Sequence, residues 1–284
     1  MLPDRASFEL IVGRIADAIH ARTGFSLIRL GEGEGPFLDW HAAQSREDIS
    51  ASLNVWFGRS SFDDNELATM AEGLRRAARS ADILGLPTSY QLGVTPRYGM
   101  VMEGVRKHRL YTPAQLVVDA NIHWYLQWSG AMAYLLRDLD FLGVIGCRDI
   151  GARIGQAFGI GSVHCHLVRG EHGYPGSTLA PHWPDGYSEV MRALDATARG
   201  QVFLIGAGIL GKLYCARIRS LGGVALDVGS LLDSWAGVPS RKRYERDSRA
   251  FTLDHFAAPT ATLEQMKRSL AFHIAEFDIR EPTI

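Results

Sequence analysis

Strand-length apolar runs alternate with segments of helical period along most of this chain, and that alternation leaves few folds open. The runs begin at Phe25, Ile83, Leu116, Phe141, Val163, Val202 and Val224. The segments between several of them place apolar residues at helical spacing, as after Asp63, Asp64 and Glu66, an acidic start suited to a helix reaching Arg79. Right-handed crossovers convert such a pattern into a Rossmann-like, mostly parallel sheet flanked by helices, an α/β fold. Further helices are expected over His123–Arg137, Ile150–Phe158, Tyr187–Ala198 and Leu263–Ala275, with a loop after Pro87. The N-terminal segment reads as an amphipathic helix. The simplest division is one domain: a helical lead over 1–24, an α/β core over 25–237 and a tail with one helix over 238–284.

Composition narrows function mainly by exclusion. A chain of 284 residues with 46% hydrophobic content can bury a substantial core. Its 30 basic and 31 acidic residues leave a net charge of −1, so no general attraction to nucleic acid or an anionic membrane is expected, and phosphate binding would require a local site. No stretch approaches the roughly 20 apolar residues of a membrane helix. The N-terminus also lacks the pattern of a signal peptide. Cys147, Cys165 and Cys215 are scattered, odd in number and set among apolar neighbours, which suits free thiols in a reducing cytoplasm. Oligomeric state is not legible, and a homo-oligomer is left open.

Two turns carry candidate chemistry. The first follows the run from Phe25 and reads Arg29-Leu30-Gly31-Glu32-Gly33-Glu34-Gly35. Its carboxylates lie where an α/β fold places working loops, at the carboxyl end of a strand. In extended chain, residues i and i+2 point to one side, so Glu32 and Glu34 could converge on a divalent ion while the glycines admit a phosphate. A solvated acidic turn is the bland alternative. The second turn, Gly206-Ala207-Gly208-Ile209-Leu210-Gly211, spells GxGxxG between strand and helix, and Asp227 ends the next strand. That is the dinucleotide fingerprint, so an NAD(P)-dependent oxidoreductase is one reading and a glycine turn serving only packing is another. Lys212 adds a cation just inside the helix.

The long loop Gly170–Asp185 holds His182 and Asp185 as candidate bases, with Glu171 and His172 as rivals. His164 and His166 share one face of a strand but lack a third ligand nearby. The aromatic cluster Trp124, Tyr125 and Trp128 suits a core better than a stacking platform, and Arg241, Lys242 and Arg243 suit a solvated loop.

Three of these blocks together resemble the bacterial glycosyltransferases of the GT-D type. In that family a strand ends in Arg-x-Gly-Asp-Gly-Glu, whose DxE acids serve a divalent metal and a nucleotide-sugar diphosphate. Here Arg29, Gly31, Glu32, Gly33 and Glu34 occupy the pattern, Glu32 standing where the family has Asp and reaching one methylene further. The segment Val202–Gly237, with Asp227, Gly229 and Ser230, is similar to the family's C-terminal strand-turn-helix-strand unit. The loop residues His182, Trp183, Pro184 and Asp185 and a shorter echo at Asp119, Ala120 and Asn121 complete the likeness.

The resemblance implies a Rossmann-like glycosyltransferase that moves a sugar from a nucleotide-diphosphate sugar, a UDP-sugar by family analogy, to a glycan or glycosylated acceptor. It implies Mn²⁺ or Mg²⁺ at Glu32 and Glu34. Arg29, Gly31, Gly206, Gly208, Gly211, Lys212 and Asp227 are then candidates to hold the donor, and His182 or Asp185 to deprotonate the acceptor. The oxidoreductase, or a silent nucleotide-sugar-binding module, remains the alternative.

Overall fold

Seven parallel strands form the centre of the molecule, seen in a computed structural model that describes residues 4–59, 61–242, 244, 248–256 and 261–276. They are β1 (Phe25–Arg29), β2 (Ile83–Leu86), β3 (Leu116–Asp119), β4 (Phe141–Gly146), β5 (Ser162–Leu167), β6 (Val202–Gly206) and β7 (Val224–Asp227). Their order across the sheet is β3-β2-β1-β7-β6-β4-β5. β7 therefore joins two three-stranded leaves, pairing Leu226 with Leu27 of β1 on one side and with Leu204 of β6 on the other.

Alternation within the strands feeds two apolar layers. Leu27, Ile83, Val118 and Leu204 enter one, while Ile28, Leu84, Val117 and Phe203 enter the other. The helices are numbered α1 (Phe8–Ala21), α2 (Gly35–Leu38), α3 (Ala43–Phe57), α4 (Asp64–Ser80), α5 (Ser89–Leu92), α6 (Pro96–Lys107), α7 (Ile122–Trp128), α8 (Ala131–Leu136), α9 (Gly151–Phe158), α10 (Tyr187–Thr197), α11 (Gly208–Ser220), α12 (Leu231–Trp235) and α13 (Leu263–Glu276). The first layer is covered by α1, α7, α8, α9, α12 and α13 through residues such as Ile15, Tyr125, Trp128, Phe158 and Trp235. The second is covered by α2, α3, α4, α6, α10 and α11 through Phe37, Leu53, Met70, Val101, Leu194 and Tyr214.

Local chemistry explains most boundaries. Asp63 caps α4 in a capping box with Glu66, as its acidic start anticipates. The loop expected after Pro87 instead holds two helices, the one-turn α5 and the longer α6. Thr88 and Gln91 form a second capping box at α5, and Thr95 caps α6 with Pro96 in its first turn, a position where proline's missing N–H costs nothing. The single helix expected over His123–Arg137 is broken into α7 and α8 at Gly130, whose φ of +81° no helix accommodates.

Candidate functional site

The carboxyl ends of β1, β6 and β7 open into a cleft of about 400 Å³, lined from β1, α3, α6, α7, β6, α11 and α12 and the loops between them. Its floor is a chain of buried charges. Arg29, at the end of β1, donates its backbone N–H to Asp227 Oδ2 at 3.2 Å, its Nε to the Asp227 carbonyl at 2.9 Å, and NH2 to Asp227 Oδ1 at 3.3 Å. NH1 reaches the Ala120 carbonyl and the His123 ring. Lys212, one turn into α11, places Nζ 3.0 Å from Asp227 Oδ2 and 2.9 Å from Glu34 Oε1. Glu34 Oε2 in turn accepts the Gly31 N–H at 2.7 Å.

These groups are deeply enclosed, with Glu34 and Lys212 each 5% exposed and Asp227 2%. Burial pushes the Asp227 carboxyl up, but Arg29 and Lys212 together hold it below the usual range. For Lys212 the balance has the same form: burial opposes the charge, and Asp227 and Glu34 more than restore it, so its pKa is raised. His123, buried beside the Arg29 guanidinium, has its pKa pushed down and stays neutral. Gly229 is required here because, at φ +53°, a Cβ would lie 2.2 Å from Arg29 NH2.

The turn after β1 differs from the extended geometry that would aim both acids at one ion. Residues 32–34 form a tight turn, and Glu34 adopts helical angles (φ −81°, ψ −26°) as the residue preceding α2. The i, i+2 rule of extended chain does not apply to such a turn. Glu34 folds back over Gly31 into the ion-pair chain, while Glu32 is exposed on the cleft wall and makes no ion pair among the described residues. Gly33 faces open space, whereas Gly35 makes room for the Arg97 carbonyl, which would lie 2.5 Å from its Cβ.

At the second glycine turn the space a side chain would take is occupied by the protein itself. A Cβ on Gly206 would meet the Gly229 carbonyl at 2.5 Å and Leu232 at 2.8 Å; one on Gly211 would meet Ile205 at 3.0 Å. Gly208, at φ +55°, lies under the Trp56 ring. Gly206 and Gly208 line the cleft, and Gly211 packs α11 onto β6. Asp227, which the dinucleotide reading assigns to a ribose, is engaged with Arg29 and Lys212.

Cations and anions balance across the cleft. Arg29, Arg169, Lys212 and Arg241 face Glu32, Glu34, Glu171 and Asp233, and ion pairs Arg241–Glu171 (2.8 Å) and Arg148–Asp233 (2.7 Å) close its far rim. The half-buried rings of Trp56, Tyr98 and Trp124 stand around it. Burial, then the charge of Glu32, raises the Tyr98 phenol to about 12.

A sequence model of the GT-D fold-like domain matches residues 6–148. The chain belongs to this family. The matched GT-D span contains the Arg29–Gly35 turn and Asp119–Asn121, while Val202–Gly237 lies outside it. Among solved structures, the chain is similar to a glycosyltransferase from Streptococcus sanguinis at 15% identity, over 84% of this chain and 86% of that one, with a TM-score of 0.53. A second structure, of the domain of unknown function 1792 described as having a distinct glycosyltransferase fold, aligns at 14% identity over 80% and 81%, with a TM-score of 0.51. These likenesses show a GT-D type glycosyltransferase fold for the parallel sheet described above. No curated protein matches the chain.

Of the two base candidates, only His182 lines the cleft. Its Nε2 is 2.9 Å from the Tyr214 hydroxyl, and burial lowers its pKa to about 4. Asp185 lies in the same π-helical turn, His182–Gly186, but is exposed and outside the cleft. Glu171 is held by Arg241, and His172 is exposed. Of the aromatic cluster, Tyr125 and Trp128 are core and Trp124 reaches the cleft. Arg241 is a cleft residue rather than a solvated one, Lys242 is exposed, and Arg243 lies outside the described residues. His164 and His166 stack at 4.7 Å on the outermost strand, away from this site. Trp56 and Tyr98 went unnoticed in the sequence, although Ile49, Leu53, Trp56 and Phe57 follow a helical spacing that would have placed a helix there.

Proposed function

We propose that this GT-D family protein is a glycosyltransferase that takes a nucleotide-diphosphate sugar, a UDP-sugar by family analogy, and passes the sugar to a glycan or glycosylated acceptor. The observation that carries the reading is a charge-balanced cleft at the carboxyl end of the sheet, bearing at Glu32 an exposed carboxylate with no ion pair among the described residues, within a fold of this family. Leaving-group departure builds negative charge on a diphosphate. The cleft's own cations are already largely matched by acids, so added positive charge is needed. Mg²⁺ and Mn²⁺ are bound by one or two carboxylates completed by phosphate oxygens and water, and the exposed Glu32 fits that demand. Such an ion supplies stabilisation of the departing phosphate without a proton transfer.

The protein's own groups have separable tasks. Arg29 and Lys212 hold the floor rigid, and the backbone around Gly206–Ile209 meets the diphosphate where α11 begins. Trp56 or Trp124 offers a flat apolar face to the base or sugar. His182 is neutral at pH 7, with its ring tied to Tyr214, and receives the acceptor proton.

Thermal shift with UDP, GDP, UDP-sugars and NAD(H), each with and without Mn²⁺, tests the reading. Metal-dependent stabilisation by a nucleoside diphosphate is expected. Stabilisation by NAD alone, indifferent to metal, would replace it with the oxidoreductase. Release of free nucleotide from a UDP-sugar separates an enzyme from a silent binding module.

A further inference from the structure

We propose that Lys212 is a built-in cation occupying the place of a metal ion at Glu34, so that the turn after β1 offers a divalent ion one carboxylate, Glu32, rather than two. The inference deepens the glycosyltransferase reading and rests on it. The Lys212 ammonium lies between carboxylates from two different elements, 2.9 Å from Glu34 and 3.0 Å from Asp227, and donates further to the Gly208 carbonyl at 3.3 Å. The second Glu34 oxygen is held by the Gly31 N–H. Both oxygens of Asp227 are likewise taken, by Lys212 and by Arg29.

A hard cation replacing Lys212 would have to displace a buried ammonium whose charge is already matched, and that side chain would need to leave a site only 5% exposed. Among the described residues no group of three or more His, Cys, Asp or Glu side chains is arranged to hold a metal ion. Two carboxylates bridged by an ammonium are nonetheless a metal site with its cation tethered to the chain. Glu34 is thus a positioning residue: by folding inward it bends the turn and leaves Glu32 facing the cleft.

Mn²⁺ titration followed by electron paramagnetic resonance, with and without UDP, tests this on the intact protein. Glu32→Gln should weaken Mn²⁺ binding by about tenfold or more, the scale seen when metal sites lose supporting groups. Glu34→Gln, whose amide oxygen can keep the Gly31 contact but whose NH2 loses the Lys212 pair, should lower Mn²⁺ affinity far less than Glu32→Gln does. Lys212→Met empties the space between Glu34 and Asp227 and should gain one Mn²⁺ equivalent over wild type. Equal losses in Glu32→Gln and Glu34→Gln would overturn the proposal, as would a folded Lys212→Met protein that gains no Mn²⁺. If Lys212→Met does not fold by circular dichroism, the two glutamate variants decide alone. Wild type binding no Mn²⁺ while Lys212→Met binds one would end the metal-dependent reading but support the assignment of Lys212.

Discussion

Replacing Asp227 with Asn tests whether the floor of the cleft is held together by charge. Asp227 accepts the Arg29 backbone N–H and guanidinium and the Lys212 ammonium, all within 3.3 Å, at a position 2% exposed. Asn preserves the shape and one acceptor oxygen but leaves two buried cations facing one anion, Glu34. Removing one member of a buried ion pair costs about 3–5 kcal/mol. The retained acceptor, and the backbone carbonyl still bound to Arg29 Nε at 2.9 Å, place the expected loss near the lower end.

Urea unfolding followed by circular dichroism at pH 7 should therefore show Asp227→Asn destabilised by about 3 kcal/mol. The melting temperature should fall by about 6–12 °C at the sensitivity typical of domains this large. The pH dependence has a definite sign. Because the folded-state pKa is depressed, the contribution is present above the unfolded value of about 3.9 and is lost as pH falls through the folded value. The gap between wild type and variant should be flat from pH 5 to 8 and narrow only below about pH 4. A gap under about 1 kcal/mol at pH 7, the scale of an exposed pair, would refute the account. So would a gap that closes between pH 7 and 5.

Other outcomes are equally specific. His182 is held neutral by burial with a pKa of about 4, so the unfolded chain binds the extra proton between pH 4 and its ordinary value near 6.5. Stability should accordingly fall by roughly 3 kcal/mol as pH drops through that window, and His182→Asn should flatten the slope in urea melts repeated at each pH. The same variant should lower sugar-transfer turnover if His182 takes the acceptor proton; unaltered turnover would move that role elsewhere. Gly206→Ala should cost about 1–3 kcal/mol by overpacking, since its Cβ meets the Gly229 carbonyl and Leu232, and a thermal melt equal to wild type would show that the turn can shift.

The architecture was largely legible because most strands carry their own apolar run and the main crossover helices their own period. What sequence hid were elements held by capping chemistry and tertiary contact. α5 and α6 depend on Thr88, Gln91, Thr95 and Pro96, which a hydrophobicity reading passes over. Of the residues the sequence singles out, Arg29, Glu32, Glu34, Gly206, Gly208, Lys212 and His182 all line one cleft, the candidate site. Their pairings were not legible. Nothing local to Glu34 indicates that it will meet Lys212, and nothing local to Asp227 distinguishes a ribose ligand from an Arg29 partner 198 residues away. Those assignments come from β1 and β7 lying side by side, which is a property of the whole sheet.

That adjacency bears on how the protein is made. Among the described residues β7 is the last strand in the sequence, yet it occupies the seam between β1 and β6, so until it is made nothing joins β1–β3 to β4–β6 in the sheet. Until then β1 presents an open hydrogen-bonding edge to the crowded surroundings of the ribosome, and Arg29 lacks its acid. Joining the sheet and supplying the acid that Arg29 and Lys212 share are one event, so a chain interrupted before β7 lacks both the joint and the central anion of the cleft floor.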